Sequence, residues 1–164
     1  MKVKIGREDL QSFELSWLCV RPMLHAVRGK DLSVKSEMYN QLNEGQKGLF
    51  LFYSFHNHVD KLTAFYWFSA YHINELQSWN GIKSGVLYFG DGKMADLLDE
   101  IMQFIENCNK TERPITPGDL EHDQETFDKV NRLYDSYIEY SKHTIMRMNE
   151  WINANKPDFI EDIS

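Results

Sequence analysis

Phe50-Leu51-Phe52-Tyr53-Ser54-Phe55-His56-Asn57-His58-Val59-Asp60-Lys61-Leu62-Thr63-Ala64-Phe65-Tyr66-Trp67-Phe68-Ser69-Ala70-Tyr71 decides what this chain becomes. Nine of its 22 aromatic residues fall in this run, and only Asp60 and Lys61 carry formal charge there. A large aromatic side chain buries about 150–250 Å² when packed, so the fold is organised around this stretch. Leu49, Phe50, Leu51, Phe52, Tyr53 and Phe55 predict a helix from about Gln46 to Asp60 that is apolar on nearly all sides, the pattern of a central bundle helix. Strand is the competing assignment, because aromatics favour it. The continuation through Leu62, Phe65, Tyr66, Trp67, Phe68, Tyr71, Ile73 and Leu76 shows no alternation and no turn residue, which favours helix.

Helical spacing extends outward from there. Upstream, Leu10, Phe13, Trp17, Val20, Leu24 and Val27 form one stripe over Arg7 to Arg28, with Pro22 expected to kink or split the helix. A second segment runs from about Leu32 to Leu42, with Asp31 or Ser33 as its cap. Downstream, Gly81, Gly85, Gly90 and Gly92 predict a loop with a short helical piece near Ile82–Phe89. Gly90-Asp91-Gly92 then opens a clean amphipathic helix. Met94, Leu97, Leu98, Ile101, Ile105 and Cys108 form its apolar face, opposite Asp96, Asp99, Glu100, Gln103 and Glu106. Asn109 to Gly118, with Pro114 and Pro117, predicts a loop. Beyond it a stripe from Phe127 to Ile152 gives one helix of more than 30 residues, or two joined near Ser141-Lys142-His143-Thr144. Pro157 is expected to stop it.

The fold class is therefore all-α, a single domain over 1–164 built as a bundle of six or seven helices with a long C-terminal helix. A chain of 164 residues buries roughly 70% of its unfolded surface, enough for one core. The longest uncharged runs, Gly48 to Val59 and Leu62 to Asn74, are too short for a bilayer of about 30 Å. With no apolar signal core near Met1, the expected location is the cytoplasm, where Cys19 and Cys108 stay free thiols.

Charge narrows the function. Residues 1–48 hold 8 Lys/Arg against 6 Asp/Glu, residues 49–90 hold 2 against 2, and residues 91–164 hold 8 against 17. The net −7 is therefore concentrated in the C-terminal half, at −9. Nucleic-acid binding needs cations that neutralise phosphates, so direct DNA or RNA binding is not expected, whereas a basic protein partner fits. The carboxylates expected to steer such a partner are Asp96, Asp99, Glu100, Asp128, Asp135 and Glu139. Tyr134, Tyr137, Tyr140, Met146, Met148 and Trp151 enrich the last helix in residues that pack cores and also anchor interfaces, which makes a homo-oligomer a further expectation.

Catalytic patterns are sparse. His56, Asp60 and His72 are the candidate metal ligands, since His56 and Asp60 stand at i and i+4 and His72 could add a third donor. His72-x-x-Glu75 and His122-x-x-Glu125 reverse the order used by di-iron bundles, and read as exposed pairs. Gly90-Asp91-Gly92-Lys93 lacks the surrounding pattern of a phosphate loop, and Asp91 would repel phosphate, so it reads as a turn with Asp91 near a helix N-cap. No cofactor is called for. The expected activity is non-enzymatic protein binding, the alternative a metal-dependent enzyme or small-ligand bundle using His56, Asp60 and His72.

Val86-Leu87-Tyr88-Phe89-Gly90-Asp91-Gly92-Lys93-Met94-Ala95-Asp96-Leu97-Leu98-Asp99-Glu100 resembles the DNA-mimic-protein family of acidic helical bacterial proteins. Leu133-Tyr134-Asp135 through Trp151-Ile152 to Pro157-Asp158-Phe159 is similar to that family's closing helix and exit. The family's Asn-Gly-Gly-Phe signature, expected near Lys61-Leu62-Thr63-Ala64, is absent. The resemblance implies an acidic surface that competes with DNA for a basic protein, and assigns no binding residue.

Overall fold

Aromatic packing sets the middle of the molecule. In a computed structural model that describes residues 1–110 and 113–163, Phe55 is fully buried and meets Trp79, Tyr137 and Phe65 at ring-centroid distances of 5.1, 5.5 and 6.3 Å. Four helices meet at this cluster, the long helix Gln124–Ala154 contributing Tyr137. α3 (Glu44–His56) carries Phe55, α4 (Leu62–Ala70) carries Phe65, and α5 (Trp79–Tyr88) begins with Trp79, whose indole N–H donates to Leu98 O at 2.9 Å. Helix is thus the outcome for the aromatic run. α3 buries residues on several sides, Gly45 and Gln46 among them. It starts at a reciprocal cap in which Gln46 N donates to Asn43 Oδ1 and Asn43 N to Gln46 Oε1.

The remaining helices enclose this centre. α1 (Leu15–Ala26) and α2 (Leu32–Asn40) precede α3, and α6 (Gly92–Asn109) follows α5. Two single turns, α7 (Asp119–His122) and α9 (Lys156–Phe159), flank α8 (Gln124–Ala154). At 31 residues, α8 is one continuous helix, about 46 Å long at 1.5 Å per residue. Part of the loop expected over Asn109–Gly118, at 111 and 112, lies outside the described residues.

Several local expectations change. Pro22 sits inside α1, and the break falls earlier: Glu8–Gln11 is a 3₁₀ turn, separated from α1 by extended Ser12. α8 ends at Ala154, ahead of Pro157, which opens α9 instead. After α4 the chain widens into a π turn over Tyr71–Glu75, and Gln77 then takes a left-handed backbone, φ 51°. β1 (Val3–Ile5) pairs in parallel with β2 (Ile160–Ile163) and joins the two ends of the chain. Among the described residues no helix is long and apolar enough to cross a membrane.

Candidate functional site

The α6 N-terminus shows how its acidic face is placed. Asp91 is buried and caps the helix, its carboxylate accepting Met94 N–H at 3.0 Å and the Thr144 hydroxyl of α8 at 2.7 Å. That bond locks α6 against α8, so the apolar stripe Met94, Leu97, Leu98, Ile101 and Ile105 faces inward. Asp96, Asp99 and Glu100 consequently face solvent, and Asp128, Asp135 and Glu139 are exposed along α8.

The six predicted carboxylates do not form one unbroken strip. Asp99 holds Lys83 of α5 at 2.5 Å. Glu100 takes Lys129 at 2.6 Å and Arg132 at 3.7 Å, both from α8, so a cationic seam runs between the two helices. Among the described residues Asp128 accepts only from Gln124, at 2.8 Å, and Asp135 only from Asn131, at 3.4 Å. Asp96 and Glu139 have no side-chain hydrogen bond or ion pair among the described residues. Asp128, Asp135 and Glu139 follow one another at seven and four residues, which places them on one face of the helix.

The histidines separate. α3 ends at His56, so Asp60 lies beyond the helix, past a turn, and the shared face expected from the i, i+4 spacing does not form. His56 Nδ1 is hydrogen-bonded to Tyr137 OH at 3.0 Å, and its ring stacks on Phe52. Burial pulls its pKa down to about 4. His72 sits in the π turn, hydrogen-bonded through Nδ1 to Ser78 Oγ at 2.8 Å. Its pKa also falls to about 4, mainly through burial and secondarily through the nearby charge of His58. No three His, Cys, Asp or Glu side chains among the described residues gather where they could hold a metal ion. His56 and His72 are partnered imidazoles of the aromatic core. Burial raises both thiol pKa values, to about 12 for Cys19, and neither cysteine forms a disulfide.

One feature escapes sequence reasoning. Asp91, Lys93, Tyr140, His143, Met146, Arg147 and Glu150 line an open cleft of about 410 Å³ beside the α6 N-terminus. Lys93 Nζ lies 3.9 Å from the Tyr140 ring centroid. Lys93 and Arg147 balance Asp91 and Glu150, and Asp91 already occupies the helix end where an anion would bind. Only the Gly-Asp-Gly turn hinted at this region, because the contact with Thr144 spans 53 residues. The aromatic and sulfur face of α8 also divides: Tyr137 and Met148 are buried, while Met146 and Trp151 are exposed.

Comparison with known proteins finds no matching family model, no matching curated protein and no matching solved structure.

Proposed function

We propose that this protein acts without catalysis, in the cytoplasm, by binding a basic partner protein through the acidic face of α8, with the exposed carboxylates of α6 at its margin. The observation that supports this is the state of Asp128, Asp135 and Glu139. They share one exposed helix face, and no Lys, Arg or His among the described residues lies within ion-pairing distance of them. Such uncommitted carboxylates raise the encounter rate with a cationic surface and select against acidic partners. Asp99 and Glu100 contribute less, because Lys83, Lys129 and Arg132 already offset them. Competition with DNA for a basic protein is the special case that the resemblance to DNA-mimic proteins implies.

Affinity capture with the wild-type chain and with the Asp128→Asn, Asp135→Asn, Glu139→Asn triple variant tests the proposal. A basic partner is expected on the wild type at about 50 mM salt, released at about 500 mM and lost on the variant, because exposed charges are screened over a Debye length. Partners retained through both high salt and neutralisation would sink it.

A further inference from the structure

The opposite charge has its own place in the molecule. Residues 21–35 hold Arg21, Arg28, Lys30 and Lys35 against one carboxylate, Asp31. All four cations are exposed, and none forms an ion pair among the described residues. Asp31 is engaged locally, accepting Val34 N–H at 3.1 Å and the Ser33 hydroxyl at 2.7 Å as the N-cap of α2. Glu37 is two residues beyond Lys35, about 200° around the helix.

α2 is also under-packed. It buries no residue, and Leu32 and Val34 are 62% and 38% exposed. A nine-residue helix is marginal on its own, and tertiary burial usually stabilises such a segment. Here the anchoring is confined to the C-terminal end, where Tyr39 packs on Phe50 and lies under Lys47. A capped helix with aliphatic side chains in water, beside four unpaired cations, suits a partner that offers carboxylates and some apolar surface.

The α8 face has that chemistry: Asp128, Asp135 and Glu139 are exposed, with half-buried Tyr134 and Ile138 beside them. The two surfaces lie at opposite ends of α3. At its start, close to α2 in the chain, Asn43 Nδ2 donates to Asp158 O, beyond the end of α8. Just past its other end, Val59 O accepts from Tyr134 OH in the first half of α8. At 13 residues, α3 keeps the two ends about 20 Å apart. One chain therefore cannot bring its acidic face onto its own basic corner, but two chains can meet head to tail.

We infer that the end of α1 together with α2 is a docking surface for the acidic α8 face of a second copy of this chain. The inference rests on the proposal that this face is a binding surface, and names one partner for it. A single contact leaves one surface of each kind free; a reciprocal second contact closes a two-fold pair, and without it association goes on to rings or open oligomers. Exposed ion pairs are individually weak and screened by salt, so the contact is weak and salt-sensitive.

Sedimentation velocity from about 10 to about 500 µM protein, at about 25 and about 500 mM NaCl, reads this directly. The mass-average is expected to climb with concentration at low salt and return to the monomer at high salt. Arg28→Glu with Lys35→Glu, and separately Asp135→Lys with Glu139→Lys, should each stay monomeric, and an equimolar mixture of the two variants should associate again. All four positions are exposed, and circular dichroism checks that each variant is folded. A wild type that stays monomeric at low salt overturns the inference, as does association that survives either charge reversal or a mixture that fails to recover it. If the wild type is monomeric while the acidic face still captures a basic partner, self-docking alone falls. If charge reversal of α8 abolishes neither, the acidic face itself is not the binding surface.

Discussion

At the scale of single residues, His56 and His72 carry the clearest consequence. Unfolded, each imidazole titrates near 6.5, and folded, each is held at about 4 by burial. Above 6.5 both states keep the rings neutral and this contribution to stability is fully present. As pH falls through 6.5 the unfolded chain takes up protons first, so stability drops, by about 3 kcal/mol per histidine on reaching about pH 4. Urea titrations at about pH 7 and about pH 4.5 should show that loss in the wild type and a shallower loss in a His56→Gln, His72→Gln variant. Equal acid sensitivity in the two would assign the effect to carboxylates instead. The sequence marked these histidines as candidate ligands because identity and spacing are all it displays. Their real partners, Tyr137 and Ser78, depend on where α3 stops and on a π turn that no local pattern announces.

At the scale of elements, the crossing of α3 and α5 depends on two glycines, Gly48 inside a helix the sequence predicts and Gly85 in a stretch it reads as a loop with a short helical piece. A Cβ built on Gly85 would lie 2.7 Å from Gly48 Cα, so the two backbones approach as closely as they do only because both side chains are absent. Gly85→Ala gains up to about 1 kcal/mol of helix propensity but must push backbone apart in a packed core, which costs about 1–3 kcal/mol. A net loss is expected. Gly92→Ala, where nothing lies within 4 Å of the added carbon, should be neutral or stabilising. Denaturant midpoints for the two variants check the contrast, and equal midpoints would show that the crossing relaxes freely. Strong periodicity made α6 and the stripe of α8 legible, since each repeats its apolar spacing over several turns. The β1–β2 pair was not legible, because three alternating residues pair across the length of the chain. Nor was the exposure of α2, whose apolar residues lack a stripe wide enough to reveal that only its C-terminal end packs on the core.

At the scale of the whole molecule, two electrostatic effects oppose each other when salt is added. Screening weakens the attractive pairs Lys47–Glu44, Lys83–Asp99, Lys129–Glu100 and Arg132–Glu100, each involving an exposed carboxylate and so contributing only about 0–1 kcal/mol. It also weakens repulsion within the half of the chain that carries −9, where Asp96, Asp128, Asp135 and Glu139 form no ion pair among the described residues. Attraction is confined to a few short contacts, whereas repulsion acts among all the carboxylates out to the Debye length, about 30 Å at 0.01 M and about 10 Å at 0.1 M. Repulsion therefore has more to lose, and the folded state should gain from salt. Melting at low micromolar protein, where self-docking is negligible, is expected to shift upward by a few degrees between about 10 and about 200 mM NaCl. Sodium chloride is the appropriate salt, because sulfate would add its own exclusion effect. A downward shift would mean that the four ion pairs outweigh the surplus of charge, and would remove the electrostatic reason for this face to seek a cationic surface.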